Sequence, residues 1–152
     1  MGPSGHERMF VYMNTLEQGH LGEVSALEWL LRQGYRCALP YGPSPNWDLL
    51  AEIDDRLVRV QVKTCTHFRN GRWPVQVCTR GGNQSWTGTT KFLTPDRCDY
   101  LFVLVGDGRR WFIPPDALGG RHRVCVGGPK YAEYEVDPGR PIPRCEGSTI
   151  AA

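Results

Sequence analysis

Several features that would assign this chain to a membrane-bound, secreted or zinc-binding class are missing from its 152 residues. No apolar run is long enough to cross a bilayer, and residues 1–8 lack the charged and apolar blocks of a signal peptide. We therefore expect a cytoplasmic protein without a membrane segment. The six cysteines form no CxxC pair and the four histidines no HxH or HExxH pattern. Neither a disulfide framework nor a zinc site is expected.

Acidic residues are also missing from a long internal stretch. No Asp or Glu occurs between residues 56 and 95, which we call the acid-free segment. Its basic residues are Arg56, Arg59, Lys63, Arg69, Arg72, Arg80 and Lys91. A polyanionic partner is one explanation for this imbalance, and a solvated loop is the other. The net charge of +2 over the whole chain does not separate the two.

What is present predicts helix and strand in one chain. Periodicity predicts a helix over residues 15–33, with Thr15 as N-cap, Gln18 completing a capping box and Gly34 ending it. Alternating or continuous apolar runs predict strands elsewhere. These strands cover residues 36–40, 48–53, 57–65, 75–79, 99–105 and 109–113, and a last hairpin joins 123–126 to 131–136.

The chain is expected to form a single domain. Its length suffices for one core, and it contains neither internal repeats nor an interdomain linker. We place the domain at residues 14–137. Residues 1–13 are expected to be disordered, and residues 138–152, rich in Pro and Gly, a loose tail.

The hairpin of residues 48–65 gives the most specific inference. If Asp54 and Asp55 form its turn, paired residues have numbers that sum to 109, so Asp48 faces Gln61. Directly opposed side chains have Cβ atoms roughly 4.5–5.5 Å apart. Alternation along the second strand puts Lys63 on the same face and the intervening valines on the core face. A carboxylate, an amide and an ammonium are therefore expected close together.

Glu23 is predicted to lie on the buried face of the helix. On a helical wheel it falls within about 60° of several apolar or small residues. These are Leu16, Gly19, Ala26, Leu27 and Leu30. An unpaired buried carboxylate is costly, so Glu23 needs a partner such as Lys63, or a metal. A purely structural pair with Lys or Arg is the other interpretation.

Together these residues resemble the PD-(D/E)xK nuclease superfamily over residues 15–66. The pattern of that family is a helix carrying Glu, an Asp that opens a hairpin, and (Asp/Glu)-x-Lys in the returning strand. Glu23, Asp48 and the run Gln-Val-Lys at 61–63 occupy these positions, and Trp47 stands for the Pro. The chain is similar to small intron-encoded homing endonucleases of this type. More distantly it resembles archaeal-type Holliday junction resolvases, which share the Gly-x-x-Gly-Glu helix.

The resemblance implies a restriction-endonuclease-like α/β fold with a mixed central β-sheet flanked by helices. It also implies DNA phosphodiester hydrolysis with Mg²⁺, or with Mn²⁺ in its place. Asp48 would be the main metal ligand, joined by the Gln61 side-chain oxygen, the Val62 carbonyl and Glu23. Lys63 would orient or activate the attacking water. The expected partner is double-stranded or branched DNA, bound by a homodimer or homotetramer.

Candidate DNA contacts come from the acid-free segment. Its later basic residues are expected to bind phosphates: Arg69, Arg72, Arg80 and Lys91. Gln84 and Ser85 are expected at bases or phosphates. Homing, junction resolution, restriction and repair stay open as biological roles. So does a non-catalytic DNA-binding module on the same fold, in which the neutral Gln61 marks a lost activity.

Overall fold

A computed structural model describes residues 13–43, 46–80, 90–91 and 93–143 of the chain. Within these ranges there is one α-helix, α1 (Thr15–Arg32), and there are two 3-10 helices, Pro115–Leu118 and Ala132–Tyr134. The strands are β1 (Arg36–Ala38), β2 (Leu49–Ile53), β3 (Arg56–Cys65), β4 (Trp73–Gln76), β5 (Thr79–Arg80), β6 (Thr90–Lys91), β7 (Tyr100–Val105), β8 (Arg110–Ile113), β9 (Arg123–Val126) and β10 (Glu135–Val136).

Six strands form a central sheet in the order β1-β2-β3-β7-β8-β10. Strands β3 and β7 run parallel, and every other neighbouring pair is antiparallel. The mixed central sheet expected from the sequence is therefore present. Two smaller two-stranded sheets, β4–β9 and β5–β6, lie in the connection between β3 and β7 and beyond β8.

Each face of the central sheet has its own apolar cluster, because side chains alternate along its strands. Helix α1 packs on one face, where Trp29 and Leu30 meet the β3 valines and Phe102. The β4–β9 sheet covers the other face, where Trp73 and Val75 join the odd-numbered residues of β7. Strand β3 thus lies between two apolar layers. Its polar side chains are therefore accommodated only near an edge of these layers.

The β2–β3 hairpin has the register predicted from its turn. Leu49 pairs with Val60 and Ile53 with Arg56. Asp54 and Asp55 both adopt positive φ angles, 51° and 60°, as a two-residue type I′ turn requires. The valines of β3 are buried, as expected.

Helix α1 spans Thr15–Arg32, close to the predicted 15–33, but its N-cap is Asn14 and not Thr15. Asn14 accepts a hydrogen bond from the Glu17 backbone N–H, and the Glu17 side chain accepts one from the Asn14 backbone N–H. The proposed Thr15 and Gln18 capping box is therefore wrong. Asn caps a helix at least as well as Thr, and Glu at the third position completes the same box. Gly34 follows the helix with φ +86°, as expected.

The predicted C-terminal hairpin is wrong. Strand β9 pairs with β4 across the molecule, and β10 pairs with β8. Val124 and Val126 need an apolar partner face, and Trp73 and Val75 of β4 provide it. Strand β4 itself begins two residues earlier than the predicted strand at 75–79. The turn residues between 126 and 131 therefore did not determine the pairing of β9, because burial of its valines against β4 was more favourable.

The described part of the expected loose tail is packed. Ile142 is 2 % exposed and belongs to the cluster on the α1 side of the sheet. Its backbone N–H donates to the Gly106 carbonyl, and that of Gly139 donates to Gly108. Ordered structure thus continues beyond residue 137, at least to Ile142.

Candidate active site

Strands β2 and β3 separate at the point where the candidate residues lie. Strand β3 is ten residues long, but only Arg56–Val60 pair with β2. From Gln61 onward, β3 pairs with β7 on one side and leaves its other edge free of β2. Asp48 stands at this fork, because its backbone N–H still donates to the Val60 carbonyl at 2.9 Å.

The carboxylate of Asp48 is held by two donors from β3. Its Oδ2 accepts from Val62 N at 2.7 Å and from Gln61 Nε2 at 2.8 Å. The free edge of β3 explains the first bond, since the Val62 N–H has no β2 strand to pair with. Among the described residues, no donor is bonded to Oδ1. One oxygen of Asp48 is thus fixed by the protein, and the other is available to a ligand.

Partial burial makes the charge of Asp48 unfavourable. Desolvation raises the pKa of its carboxyl above the ordinary value, while the Val62 N–H and the Lys63 ammonium act in the opposite direction. A cation bound at the free oxygen would offset the desolvation.

Lys63 is half-buried next to this carboxylate. Desolvation lowers the pKa of its ammonium, and the negative charge of Asp48 partly counteracts this effect. Within the described part of the chain, Lys63 has no salt bridge closer than 4.0 Å. Its ammonium therefore keeps hydrogen-bond donors for a substrate or a water.

Glu23 lies at the margin of the buried face of α1, and not at its centre as predicted. The buried helix residues are Gly22, Ala26, Trp29 and Leu30, whereas Leu16 is 68 % exposed. Since one residue turns a helix by about 100°, the buried face is centred near Gly22. The predicted face included Leu16 and Leu27 but left out Trp29. The indole of Trp29 packs on Phe102 and Phe112.

Close packing of α1 on β3 determines where Glu23 stands. A Cβ added to Gly22 would lie 2.6 Å from Thr64 Oγ1, so only glycine permits this approach. Thr64 Oγ1 also donates to the Gln18 carbonyl at 3.3 Å. Burial, and then the negative charge of Asp48, raise the pKa of Glu23, while His20 lowers it. The negative charges of Glu23 and Asp48 therefore repel each other. No described residue forms a salt bridge with Glu23.

The donor set fits a hard divalent cation and not a zinc ion. No group of three His, Cys, Asp or Glu side chains suited to a metal occurs among the described residues. The possible ligands at the fork are the carboxylates of Asp48 and Glu23 and the side-chain amide of Gln61. Mg²⁺ can bind such a small set of protein ligands because it keeps several of its waters. Gln61 can donate through Nε2 to Asp48 and still offer its Oε1. A cation would also relieve the unfavourable charges of Glu23 and Asp48.

The expected DNA contacts are only partly placed. Arg69 and Arg72 are exposed and lie together in a turn before β4. The side chains of Arg80 and Lys91, and residues Gln84 and Ser85, lie outside the described part. Arg123 and His67 were not predicted, although both line a groove with Arg69 and Arg72. Arg123 lies at this groove because β9 pairs with β4, and that pairing was not predicted from the sequence.

Comparisons with known proteins agree with this geometry. A family model described as PD-(D/E)XK endonuclease matches residues 13–125. The solved structure of a bacterial homing endonuclease, I-Ssp6803I, superposes with a TM-score of 0.69 at 17 % identity. The match covers 81 % of this chain and 89 % of that one, so the two share a fold. No curated protein sequence matches significantly. In the described ranges, no helix is long and apolar enough to span a membrane.

Proposed function

Since this chain belongs to the PD-(D/E)XK endonuclease family, we propose that it is a divalent-metal-dependent DNA endonuclease with Asp48 at its centre. The observation that carries this proposal is the double hydrogen bond to Asp48 Oδ2 from Val62 N and Gln61 Nε2. It orients a desolvated carboxylate at the fork between β2 and β3.

The residues of the fork divide the work of phosphodiester hydrolysis between them. Asp48 would hold Mg²⁺, with Gln61 Oε1, the Val62 carbonyl and Glu23 contributing directly or through water. When bound, the cation supplies charge stabilisation at the phosphoryl oxygens. Mn²⁺, with the same preference for oxygen ligands, is expected to substitute.

Lys63 contributes an ammonium with free donors. It orients the attacking water and offsets the charge that develops on the phosphoryl group. Its lowered pKa also increases the fraction of the neutral amine at a given pH, which is the form that can accept a proton from water.

The neutral Gln61 distinguishes this site from one with an acid in its place. Glutamate would add charge toward a cation, but it could not donate to Asp48 at neutral pH. Gln61 therefore exchanges one negative charge for a fixed orientation of Asp48. We include in the proposal that the substrate is double-stranded or branched DNA, and that two or four copies act together.

Homing is the biological role favoured by the structural likeness to I-Ssp6803I, a protein described as a bacterial homing endonuclease. Two cuts in opposite strands need two sites, which a homodimer or homotetramer supplies. Sedimentation of the purified protein with and without DNA measures this assembly.

The decisive experiment is cleavage of linear, supercoiled, branched and single-stranded DNA in Mg²⁺, with Asp48→Ala beside the parent protein. We expect the variant to fold and to lose cleavage by roughly a thousandfold or more, because a bound metal supplies several kcal/mol of transition-state stabilisation. Circular dichroism checks the fold. Cleavage by the folded variant at near-parent rates would show that the centre is misassigned.

Metal titration tests the non-catalytic alternative. A functional site should bind Mn²⁺ in the parent protein and lose this binding in Asp48→Ala. Parent protein that binds DNA but neither binds Mn²⁺ nor cuts any substrate would be a binding module only.

A further inference from the structure

A basic groove lies beyond the end of β3, outside the cluster at Asp48. It has a volume of about 530 Å³ and is lined by His67, Arg69, Asn70, Arg72, Pro74, Arg123 and Cys125. This volume is within the range of protein ligand sites. The lining contains three arginines and no carboxylate, although arginines on a protein surface are commonly paired with acids.

The first two arginines are held rigidly. Arg69 and Arg72 exchange both backbone hydrogen bonds, at 2.9 and 3.1 Å, around Asn70 and Gly71. Asn70 and Gly71 have φ angles of 52° and 75°, as in a two-residue type I′ turn. Residues that exchange both bonds project their side chains to one face of the pair. The turn therefore presents two guanidinium groups side by side.

The third arginine comes from the outer face of the β4–β9 sheet. Trp73 and Val75 face the core with Val124 and Val126, so the alternate residues face outward. Arg123 is one of these outward residues and is exposed. Arg72 lies toward the other end of the β4–β9 pair, where a Cβ on Gly128 would be 2.8 Å from its Nε, so Arg72 and Arg123 line the groove at different points along its length.

None of these arginines is paired with an acid in the part of the chain that the structure describes. Within the described residues, Arg69, Arg72 and Arg123 form no salt bridge, whereas other arginines do so with Glu or Asp. Planar guanidinium groups bind phosphate oxygens through paired hydrogen bonds. A site with this chemistry selects a phosphate group.

The groove is also within reach of the fork. His67 lies four positions after Lys63 in the chain, so the Cα atoms of these two residues are at most roughly 14 Å apart. Double-stranded DNA carries a phosphate about every 3.4 Å along each strand. A duplex placed at the fork therefore offers several phosphates within this distance.

We propose that Arg69, Arg72 and Arg123 form a clamp for successive backbone phosphates of the DNA whose scissile bond lies at Asp48. This inference rests on the proposed function, and it assigns a DNA-binding role to Arg123. The clamp binds without reading sequence, because phosphate contacts position the duplex and carry no base information. Its effect is on affinity and on the placement of the scissile bond.

The test is a salt titration of duplex binding in Ca²⁺, with Arg123→Ala compared with Arg121→Ala. Arg121 is a matched control, since it is exposed nearby but does not line the groove. We expect Arg123→Ala to weaken binding roughly tenfold at low salt and to lower the log–log slope by about 0.9, the value for one phosphate. Arg121→Ala should leave the slope unchanged. Equal slopes in parent, Arg123→Ala and Arg121→Ala would overturn the clamp.

Two further measurements separate the clamp from the proposed function and from a free-phosphate site. Single-turnover cleavage at subsaturating DNA should fall in Arg123→Ala together with its affinity, and should match the parent rate in Arg121→Ala. If the parent protein cuts no DNA but the slope difference persists, the endonuclease proposal fails and the clamp stands. Tight binding of inorganic phosphate that Arg123→Ala abolishes, without any change in DNA slope, would overturn the assignment to DNA.

Discussion

Two cations lie on the central sheet in opposite circumstances. Arg110 of β8 is 2 % exposed, and its guanidinium donates to Glu28, to both oxygens of Ser25 and to the carbonyls of Asp137 and Pro138. Lys63 of β3 is also shielded from water, yet it forms no salt bridge with a described residue. A buried charge whose nitrogens all donate to protein acceptors stabilises the fold, whereas one without such partners is a mark of function.

The difference extends to the partners of the two cations. The hydrogen bond with Arg110 lowers the pKa of Glu28, so this carboxylate is stabilised in its charged form. Around Lys63, desolvation raises the pKa of Asp48 and Glu23 and lowers that of the lysine itself. The fork therefore costs the apo protein stability, and the proposed metal and DNA phosphate would offset this cost.

The largest expected effect is on catalysis by Lys63→Met. Cleavage at saturating DNA should fall at least about 100-fold, as for loss of a group that positions or moves a proton. Unfolding by urea should show equal or greater stability than the parent, because the variant removes a desolvated charge. Binding and cleavage that fall in proportion would instead indicate a purely electrostatic role.

Arg110→Met should show the opposite pattern. It removes a buried, fully bonded charge and leaves the carbonyls of Asp137 and Pro138 without donors, so we expect a loss of about 3 kcal/mol in the free energy of unfolding. Where the variant is folded, its cleavage rate per molecule should stay near that of the parent. A loss below about 1 kcal/mol would contradict the structural role assigned to Arg110.

The two helix glycines test how closely α1 must approach the fork. Gly22→Ala places a Cβ 2.6 Å from Thr64 Oγ1, whereas Gly19→Ala meets nothing within 4 Å. Overpacking costs about 1–3 kcal/mol, and alanine gains about 1 kcal/mol of helix propensity at either position. Urea unfolding should therefore rank Gly19→Ala above Gly22→Ala by about 2 kcal/mol.

The catalytic consequence of the glycine pair is separate from its effect on stability. Cleavage should fall only in Gly22→Ala, because Glu23 is carried by the displaced helix. Equal cleavage rates in the two variants would show that the position of Glu23 does not matter.

The smallest expected effect is that of Glu23→Gln on the apo protein in EDTA. The pKa of Glu23 is raised in the folded state, so its contribution to stability is fully present below its unfolded pKa of about 4.3. That contribution is lost as the pH rises through the folded value. The variant should therefore melt at a higher temperature than the parent at pH 7.

A series of melting curves at falling pH checks the sign of this effect. The difference between Glu23→Gln and the parent should shrink toward zero below pH of about 4, where Glu23 is protonated in both states. A gain that stays constant with pH would trace to packing and not to charge.

Much of the site follows from local rules, and the hairpin shows why. Two turn residues define the register of β2 and β3, and period-two alternation then places Asp48 opposite Gln61, as the 2.8 Å hydrogen bond between them confirms. The helix was harder to orient. Its buried face depends on which large residues pack on the sheet: Trp29 and Leu30 are buried there, whereas Leu16 is exposed.

The sequence by itself determined the hairpin, the fork residues and the family of this protein, because each depends on neighbours within one turn or one strand pair. Only the tertiary structure decided that β9 crosses to β4, that Ile142 packs under α1, and that Arg123 joins Arg72. Those contacts join residues far apart in the chain, where burial of apolar faces competes among many partners. Local sequence patterns do not indicate which distant segment a given apolar face will pack against.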